Sequence, residues 1–157
     1  MKVIAIDPGY ERMGIAVVEH KKGTSDTLLY SACVRTSPKL EFSERLFNLG
    51  EEFWLQIRKW KPEVFAVEKL YFENNQKTAM NVAEVKGMLA YIAMSEKLRV
   101  AEFTPLQIKV AVTGYGRATK ADIFKMIPKL IDIKKEIELD DEYDAIAIAL
   151  TCLATKR

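Results

Sequence analysis

The sequence predicts an α/β fold in which a mixed five-stranded sheet is flanked by helices. Three observations lead to this fold class. Three β-rich runs follow one another at the N-terminus, an amphipathic helical pattern comes next, and a buried apolar run follows that helix. The chain has 157 residues, within the range of roughly 100–200 expected for one domain. We therefore expect residues 1–157 to form a single domain.

The first three strands are separated by turn and loop residues. The run from Lys2 to Ile6 ends in Asp7-Pro8-Gly9, which is typical of a strand followed by a turn. Met13 to Glu19 and Leu28 to Arg35 are joined by a polar connector at 21–26 that suits a hairpin. We therefore expect three consecutive antiparallel strands.

A helical crossover should place the fourth strand parallel to the first. Apolar residues recur every three or four positions and indicate a helix that ends before Pro62: Phe42, Leu46, Leu49, Phe53, Ile57 and Trp60. Val64 to Val67 is then a buried strand. A strand reached through a helix from the far side of the sheet is expected to run parallel to the first strand, and Glu68 stands at its end.

The second half predicts one more strand and four helices. Apolar residues on more than one side of the long helix at 75–97 indicate two buried faces. Thr104 and Thr119 are predicted N-caps, and Pro128 is expected to kink or shorten the helix after Thr119. The remaining elements are a strand at 100–103 and a last helix from Asp140 or Asp141 to about Thr155.

Composition excludes several classes of protein. No apolar run approaches the ~18 residues that span a bilayer, and the N-terminus lacks the apolar core of a signal peptide. We therefore expect a cytoplasmic protein without a membrane segment. Cys33, Cys152 and the single histidine, His20, cannot supply the four ligands of a structural zinc site.

The positive charge is concentrated in one segment. Residues 97–135 hold nine Lys/Arg against three acids, a local balance of +6 in a chain whose net charge is +2. Such segregation is compatible with a polyanionic partner, although clustered surface lysines also occur by chance. Charge alone does not decide between these interpretations.

Four carboxylates are candidates for one site. Asp7 and Glu68 each follow an apolar strand, and parallel neighbours deliver their carboxyl ends to the same edge of a sheet. Asp141 and Asp144 are three residues apart in the first turn of the last helix, so they share a face. Four converging carboxylates repel one another unless a cation neutralises them. Oxygen ligands without His or Cys favour Mg²⁺ or Mn²⁺.

Each acid also has an ordinary structural explanation. Asp before Pro-Gly commonly forms turns, and Asp in a first helical turn complements the helix dipole. Glu68 is harder to explain in this way, because an acid that continues a buried run risks unpaired burial. The set therefore argues for a site more strongly than any single member does.

Three motifs carry a family resemblance: IAIDPG at 4–9, FAVEKLY at 65–71 and DEYDAIAIA at 141–149. In their order and spacing the chain resembles the RuvC-type Holliday junction resolvases of the ribonuclease H-like superfamily, over residues 1 to about 155. The resemblance implies a ribonuclease H-like fold and a homodimer that nicks two strands of a four-way DNA junction in recombination and repair. It implies that the catalytic, metal-binding acids are Asp7, Glu68, Asp141 and Asp144.

The implied chemistry needs a metal. Hydrolysis of a phosphodiester requires a nucleophile made from water and a cation on the departing 3′ oxygen, and two Mg²⁺ ions bridged by carboxylates supply both. We expect two ions per active site, with Mn²⁺ able to substitute for Mg²⁺. A complex with a branch-migration helicase is also implied by the resemblance.

Four further residues are candidate DNA contacts. The resemblance implies phosphate contacts for Lys109 and Lys120, and Tyr71 occupies the position of an aromatic residue that helps to open base pairs at the junction. Arg117 stands in the glycine-containing loop before Thr119, beside a helix N-terminus that can attract a phosphate. Ordinary solvation of exposed lysines and core packing of the aromatic ring are the structural alternatives.

Other functions remain open at this point. The Asp7-Pro8-Gly9 turn followed by Gly14 also resembles a phosphate loop of actin-like kinases, although that fold needs a second such domain. A nuclease of the same group acting on structured RNA would use the same acids. A noncatalytic junction-binding protein is the third alternative, and four intact acids argue against it.

Overall fold

The computed structural model of the chain describes residues 1–69, 76–137 and 139–155. In this part of the chain, strands and helices follow in this order: β1 (Lys2–Asp7), β2 (Arg12–Glu19), β3 (Thr27–Arg35), α1 (Phe42–Trp60), β4 (Val64–Glu68), α2 (Gln76–Ser95), β5 (Arg99–Phe103), α3 (Pro105–Thr113), α4 (Lys120–Leu130) and α5 (Asp140–Ala154). The predicted order of elements is confirmed.

The five strands form one mixed sheet in the order β3-β2-β1-β4-β5. β1 is antiparallel to β2 and parallel to β4, and β5 is parallel to β4. The parallel pair arises because α1 carries the chain back across the sheet before β4 begins. The predicted mixed sheet is therefore confirmed, and β1 lies at its centre.

Apolar side chains leave both faces of the sheet and build two core layers. On one face Ala5, Ala16 and Ala66 pack against α3, α4 and α5. On the other face Ile4 and Phe65 pack against α1 and α2. The small side chains on the first face let α5 lie close to the sheet, and ten of its fifteen residues are buried.

Caps define the helix boundaries near the candidate site. Thr104 and Thr119 each accept a hydrogen bond from the backbone N–H of the residue three positions on, within a capping box. Both predicted N-caps are confirmed. The long helix is described from Gln76, and the predicted start at Asn75 lies outside the described residues.

Of the predicted kink or shortening of α4 at Pro128, the shortening is wrong. Pro128 lies inside the helix, which continues to Leu130. Its missing N–H leaves a single carbonyl, that of Phe124, without its helical donor. The N–H of Ile131 still donates to the Ile127 carbonyl at 3.1 Å. A proline this close to the end of a helix therefore removes one hydrogen bond without ending the helix early.

One side of α2 remains exposed. Val85, Leu89 and Ala93 are buried against the sheet, whereas Met80 and Tyr91 on the other side are 63% and 75% exposed. The expectation of two buried faces is therefore not met within this chain alone. No helix in the described ranges is long and apolar enough to cross a membrane.

Candidate active site at the end of the central strands

Asp7 and Glu68 end the two central parallel strands. Ile6 lies opposite Val67 in the β1–β4 register, so the two acids that follow emerge next to each other at one edge of the sheet. Both continue the alternation of residues that pack under α5. The predicted convergence of these two strand ends is present in the structure.

Gly14 lets α5 reach this edge. It lies directly opposite Asp7 in the β1–β2 register. A Cβ atom on Gly14 would stand 1.8 Å from the backbone oxygen of Asp141, far inside van der Waals contact. Only glycine therefore permits the first turn of α5 to rest on β2 beside Asp7. This close approach brings Asp141 and Asp144 to the acids of the strands.

Lys120 reaches the acids from the first turn of α4. Its Nζ atom lies 2.6 Å from Oδ2 of Asp144 and 3.7 Å from Oδ2 of Asp140. The same ammonium lies 5.3 Å from the ring centroid of Phe124. Lys120 thus binds a carboxylate of the cluster directly, whereas the sequence predicted only that it would contact phosphate.

The acids raise one another's pKa. Burial, followed by the charges of Asp144, Glu68 and Asp141, raises the pKa of Asp7 from 3.8 to about 7. Burial and the charge of Asp144 raise the pKa of Glu68, and burial also raises the pKa of Asp144 against the opposing hydrogen bond from Lys120. A cluster in which burial and neighbouring negative charges raise the pKa values of several carboxyls lacks compensating positive charge.

Arg12 is the cation on the other side of the cluster. Its Nε atom lies 3.5 Å from Oδ2 of Asp141, a distance that allows charge attraction without a good hydrogen bond. This Oδ2 atom is buried and has no hydrogen-bond partner among the described residues. An unpartnered buried carboxylate oxygen is costly, and a bound cation would remove that cost.

The donor set fits a hard divalent cation. The convergent side chains offer carboxylate oxygens, which suit Mg²⁺ or Mn²⁺. Within the described ranges no three His, Cys, Asp or Glu side chains already stand at metal-ligand spacing. The ammonium of Lys120 lies 2.6 Å from Oδ2 of Asp144 and occupies one carboxylate of the cluster. A cation would have to draw the carboxylates together and displace the lysine from Asp144.

A cleft of roughly 270 Å³ opens beside the acids and is lined by Glu68, Pro105, Ile108, Lys109, Lys120, Ile123, Asp144, Ala147 and Ile148. Lys109 of α3 therefore shares the cleft with Lys120 and two of the predicted acids. Arg117 is exposed in the loop between α3 and α4. Tyr71 lies outside the described residues, so its predicted role stays a prediction.

Sequence reasoning missed two residues of this edge, Gly14 and Arg12. A glycine inside the run Met13 to Val18, otherwise typical of a strand, is a recognised sign of close backbone approach. That sign does not name the partner, which lies 127 positions further along the chain. Arg12 gave no comparable signal, because its contact with Asp141 exists only once α5 has docked.

The strand order β3-β2-β1-β4-β5 with helices on both faces is that of the ribonuclease H-like fold, and carboxylates at the ends of β1 and β4 are compatible with a metal-dependent nuclease. A family model described as crossover junction endodeoxyribonuclease RuvC matches residues 3–152. RuvC of Petrotoga mobilis is 42% identical over 149 residues, which cover 95% of this chain and 91% of that protein. RuvC of Caldicellulosiruptor saccharolyticus is 37% identical, with 96% and 90% covered.

Solved structures agree with the family match. Thermus thermophilus RuvC in complex with a Holliday junction substrate superimposes with a TM-score of 0.93 at 30% sequence identity, covering 100% of this chain and 95% of the other. The chain belongs to the RuvC family of crossover junction endodeoxyribonucleases. The predicted family, the ribonuclease H-like fold and the predicted class of enzyme are confirmed.

Proposed function

We propose that Asp7, Glu68, Asp141 and Asp144 are the metal-binding catalytic acids with which this chain cuts two strands of a four-way DNA junction. The observation that supports the proposal is the meeting of two strand ends with the first turn of α5, where the charges of Asp144, Glu68 and Asp141 all act on Asp7 and raise its pKa to about 7. Mg²⁺ is the proposed ion, with Mn²⁺ as a substitute and two ions per site.

A bound divalent cation would lower the pKa of a water molecule and stabilise negative charge on the departing 3′ oxygen. The chain's own residues prepare the site for it. Asp7 at the central strand can be shared between neighbouring ligand positions, while Glu68 and the two α5 acids approach from either side. With a pKa of about 7 in the metal-free protein, Asp7 must release a proton to act as a ligand.

Lysines beside the acids are the proposed contacts for the DNA backbone. Lys109 and Lys120 line the same cleft as Glu68 and Asp144. A lysine near the reacting phosphate offsets its charge and fixes its position. Arg117 at the neighbouring loop and Tyr71 after Glu68 complete the proposed DNA-binding set, with Tyr71 stacking on a base at the crossover.

Cleavage assays test the proposal. A labelled four-way junction, a linear duplex and a folded RNA are incubated with Mg²⁺ or with EDTA. We expect Mg²⁺-dependent nicking of the junction and little of the other two. Asp7→Asn, Glu68→Gln, Asp141→Asn and Asp144→Asn should each reduce nicking by several orders of magnitude, since a lost ligand removes transition-state stabilisation.

Binding is the matched control for these variants. Each should retain its affinity for the junction in EDTA, or bind more tightly, because a negative charge facing the phosphates has been removed. Full nicking by Asp7→Asn would contradict the assignment. Preferential cleavage of the folded RNA would instead favour the structured-RNA alternative, and junction binding without any nicking would favour a noncatalytic protein.

We further propose that the chain works as a homodimer in the cytoplasm, in a complex with a branch-migration helicase. Symmetric incision needs two sites related by a two-fold axis. The exposed apolar residues Met80, Tyr91 and Met94 on α2 support this helix as the interface. A dimer mass at micromolar concentration is expected, and Tyr91→Glu should yield monomers. Coordinated double nicking by a strictly monomeric protein would contradict the dimer.

A further inference from the structure

Two arginines stand on the opposite side of the acids from the lysine cleft. Arg12 begins β2 and Arg35 ends β3, and they are directly paired in the antiparallel register. Two positions further along these strands, Cys33 of β3 is paired with Gly14 of β2. Gly14 is in turn paired with Asp7 of β1. Because side chains alternate, Arg12 and Arg35 lie on the face of the sheet that carries the acids.

The surroundings of Cys33 support this placement. Burial, followed by the charge of Asp141, raises the pKa of the Cys33 thiol, whereas the charges of Arg12 and Arg35 lower it. Both guanidinium groups and a candidate catalytic carboxylate therefore act on the same side chain. The arginine pair adjoins the acidic cluster.

Direct pairing of two arginines across strands is unfavourable without an anion. Like charges opposite each other destabilise a sheet. Arg12 has only the 3.5 Å approach to Asp141, and its side chain is 54% exposed. Arg35 is exposed and forms no ion pair with any residue that the structure describes. Of the neighbouring acids, Glu142 is already bound by Lys135 at 2.5 Å, and Glu136 shares a surface depression with Arg35.

We infer that Arg12 and Arg35 form a phosphate-binding site for the DNA strand that is cut, on the β2–β3 side of the acids. This inference rests on the proposed junction cleavage. Guanidinium groups bind phosphate oxygens in pairs of hydrogen bonds, and two of them on adjacent strands can share one phosphate. The strand then passes from the cleft of Lys109 and Lys120 across Asp7 to the arginine pair.

The site serves to hold the strand on both sides of the reacting phosphate. Contacts on one side alone leave the strand free to pivot over the acids, and small misplacement of reacting groups is costly in rate. When a phosphate draws Arg12 away, the Asp141 carboxylate becomes available to a cation.

Salt dependence and stability test the site in EDTA. Arg12→Gln and Arg35→Gln should each lower the magnitude of the slope of log affinity against log salt by about one unit, and the double variant by about two. The melting temperature should stay constant or rise as the cross-strand repulsion is removed. Lys22→Gln, at the far end of the same hairpin and also exposed, is the matched control and should leave the slope unchanged.

Phosphate neutralisation identifies the contact. Single methylphosphonate linkages are placed at successive positions on either side of the cleavage site, and junction affinity is measured for the wild type and both variants. We expect the sensitive linkages to lie together on one side of the cleavage site. There a neutral linkage should lower the junction affinity of the wild type but not that of the arginine variants. If every neutral linkage lowers the junction affinity of the variants as much as that of the wild type, the inference is overturned.

Two further outcomes also overturn it. If inorganic phosphate alone raises the melting temperature of the wild type but not of the variants, and no linkage shows the coupling, the pair binds free phosphate and not the strand. A lower melting temperature with an unchanged salt slope would make the arginines structural. Failure of the wild type to cut or bind junctions would instead refute the proposed function itself, so the two failures are distinguishable.

Discussion

The two ends of the sheet treat charge in opposite ways. Where β1 begins, the carboxylates have close partners: the amino group of Met1 lies 3.7 Å from Glu63, and Nδ1 of His20 lies 2.7 Å from Asp26. Where β1 ends, acids from two strands and α5 are crowded together and their pKa values rise. At the second end Lys120 and Arg12 offset the repulsion among the acids only in part, because the pKa of Asp7 still rises to about 7. This is the end at which an external cation and phosphates are expected.

The largest expected difference between the two ends concerns stability against pH. In EDTA, Asp7 has a folded pKa of about 7 against 3.8 unfolded, so the folded state holds a proton that the unfolded state has released. Stability should fall as pH rises through this interval and level off above it, by on the order of 3 kcal/mol from Asp7 between pH 5 and pH 8. Asp7→Asn should remove most of this loss, as measured by denaturant unfolding at pH 5 and pH 8.

Glu63→Gln, at the paired end of the sheet, is the control for this measurement. It removes a carboxylate that faces the Met1 amino group and should leave the pH-dependent loss of stability as large as in the wild type. An Asp7→Asn protein that still loses as much stability between pH 5 and pH 8 would show that the acidic end is not strained by charge.

Gly14→Ala should be the next largest effect. The new methyl group meets the backbone of Asp141, so α5 must move away from β2 at a cost of about 1–3 kcal/mol, typical of overpacking. Junction cleavage should fall much further than the stability loss explains, because two of the proposed acids move with α5. The measurements are the free energy of unfolding and the single-turnover nicking rate.

Gly50→Ala is the control that separates a loss of stability from a displacement of the acids on α5. A Cβ on Gly50 would also be crowded, but by the flexible side chain of Met88 on the face of the sheet away from the acids. It should change stability while nicking of the folded protein remains near the wild-type rate. Equal loss of nicking in both alanine variants would mean that Gly14 has no special role at the site.

Lys120→Ala should produce the smallest of these effects. It frees Asp144 from the ammonium at 2.6 Å, so Mn²⁺ should bind more tightly in the absence of DNA, by several-fold. Junction binding should weaken, and the salt slope should fall in magnitude by about one unit. Mn²⁺ titration followed by electron paramagnetic resonance measures the first effect, and Lys109→Ala should show only the second.

Lys129→Ala, in the last turn of the same helix, controls for the loss of one positive charge. It should leave both Mn²⁺ affinity and the salt slope unchanged. If Lys120→Ala matches Lys129→Ala in both measurements, Lys120 belongs to the ordinary solvated surface.

Local pattern was enough to predict the strands, the helices and the edge that holds the acids. Asp7 and Glu68 could be placed because each directly follows an apolar strand, and the positions of Asp141 and Asp144 on one helix face follow from their spacing. The ion pair of Lys120 with Asp144 and the contact of Gly14 with Asp141 could not be placed in this way. They join residues far apart in the chain, and nothing in either local segment specifies the other.

Pro128 illustrates the opposite limit. The local rule that proline disrupts a helix is sound, but its cost depends on how many hydrogen bonds lie beyond the proline. Because α4 ends at Leu130, few helical hydrogen bonds lie beyond Pro128. The packing of Ile127 and Ile131 in the core outweighs the loss of one hydrogen bond. The boundary therefore depends on tertiary contacts, which the local pattern does not contain.

The position of α5 in the order of synthesis has a consequence for the cell. Because α5 follows every other described element, a growing chain that has reached residue 139 still lacks Asp141 and Asp144. The sheet cannot complete its acidic edge until α5 packs on β1 and β2, and these are the most distant partners in sequence. If these acids hold the metal as proposed, a chain that is still being translated would lack its cutting site and would acquire it only when α5 packs on the sheet.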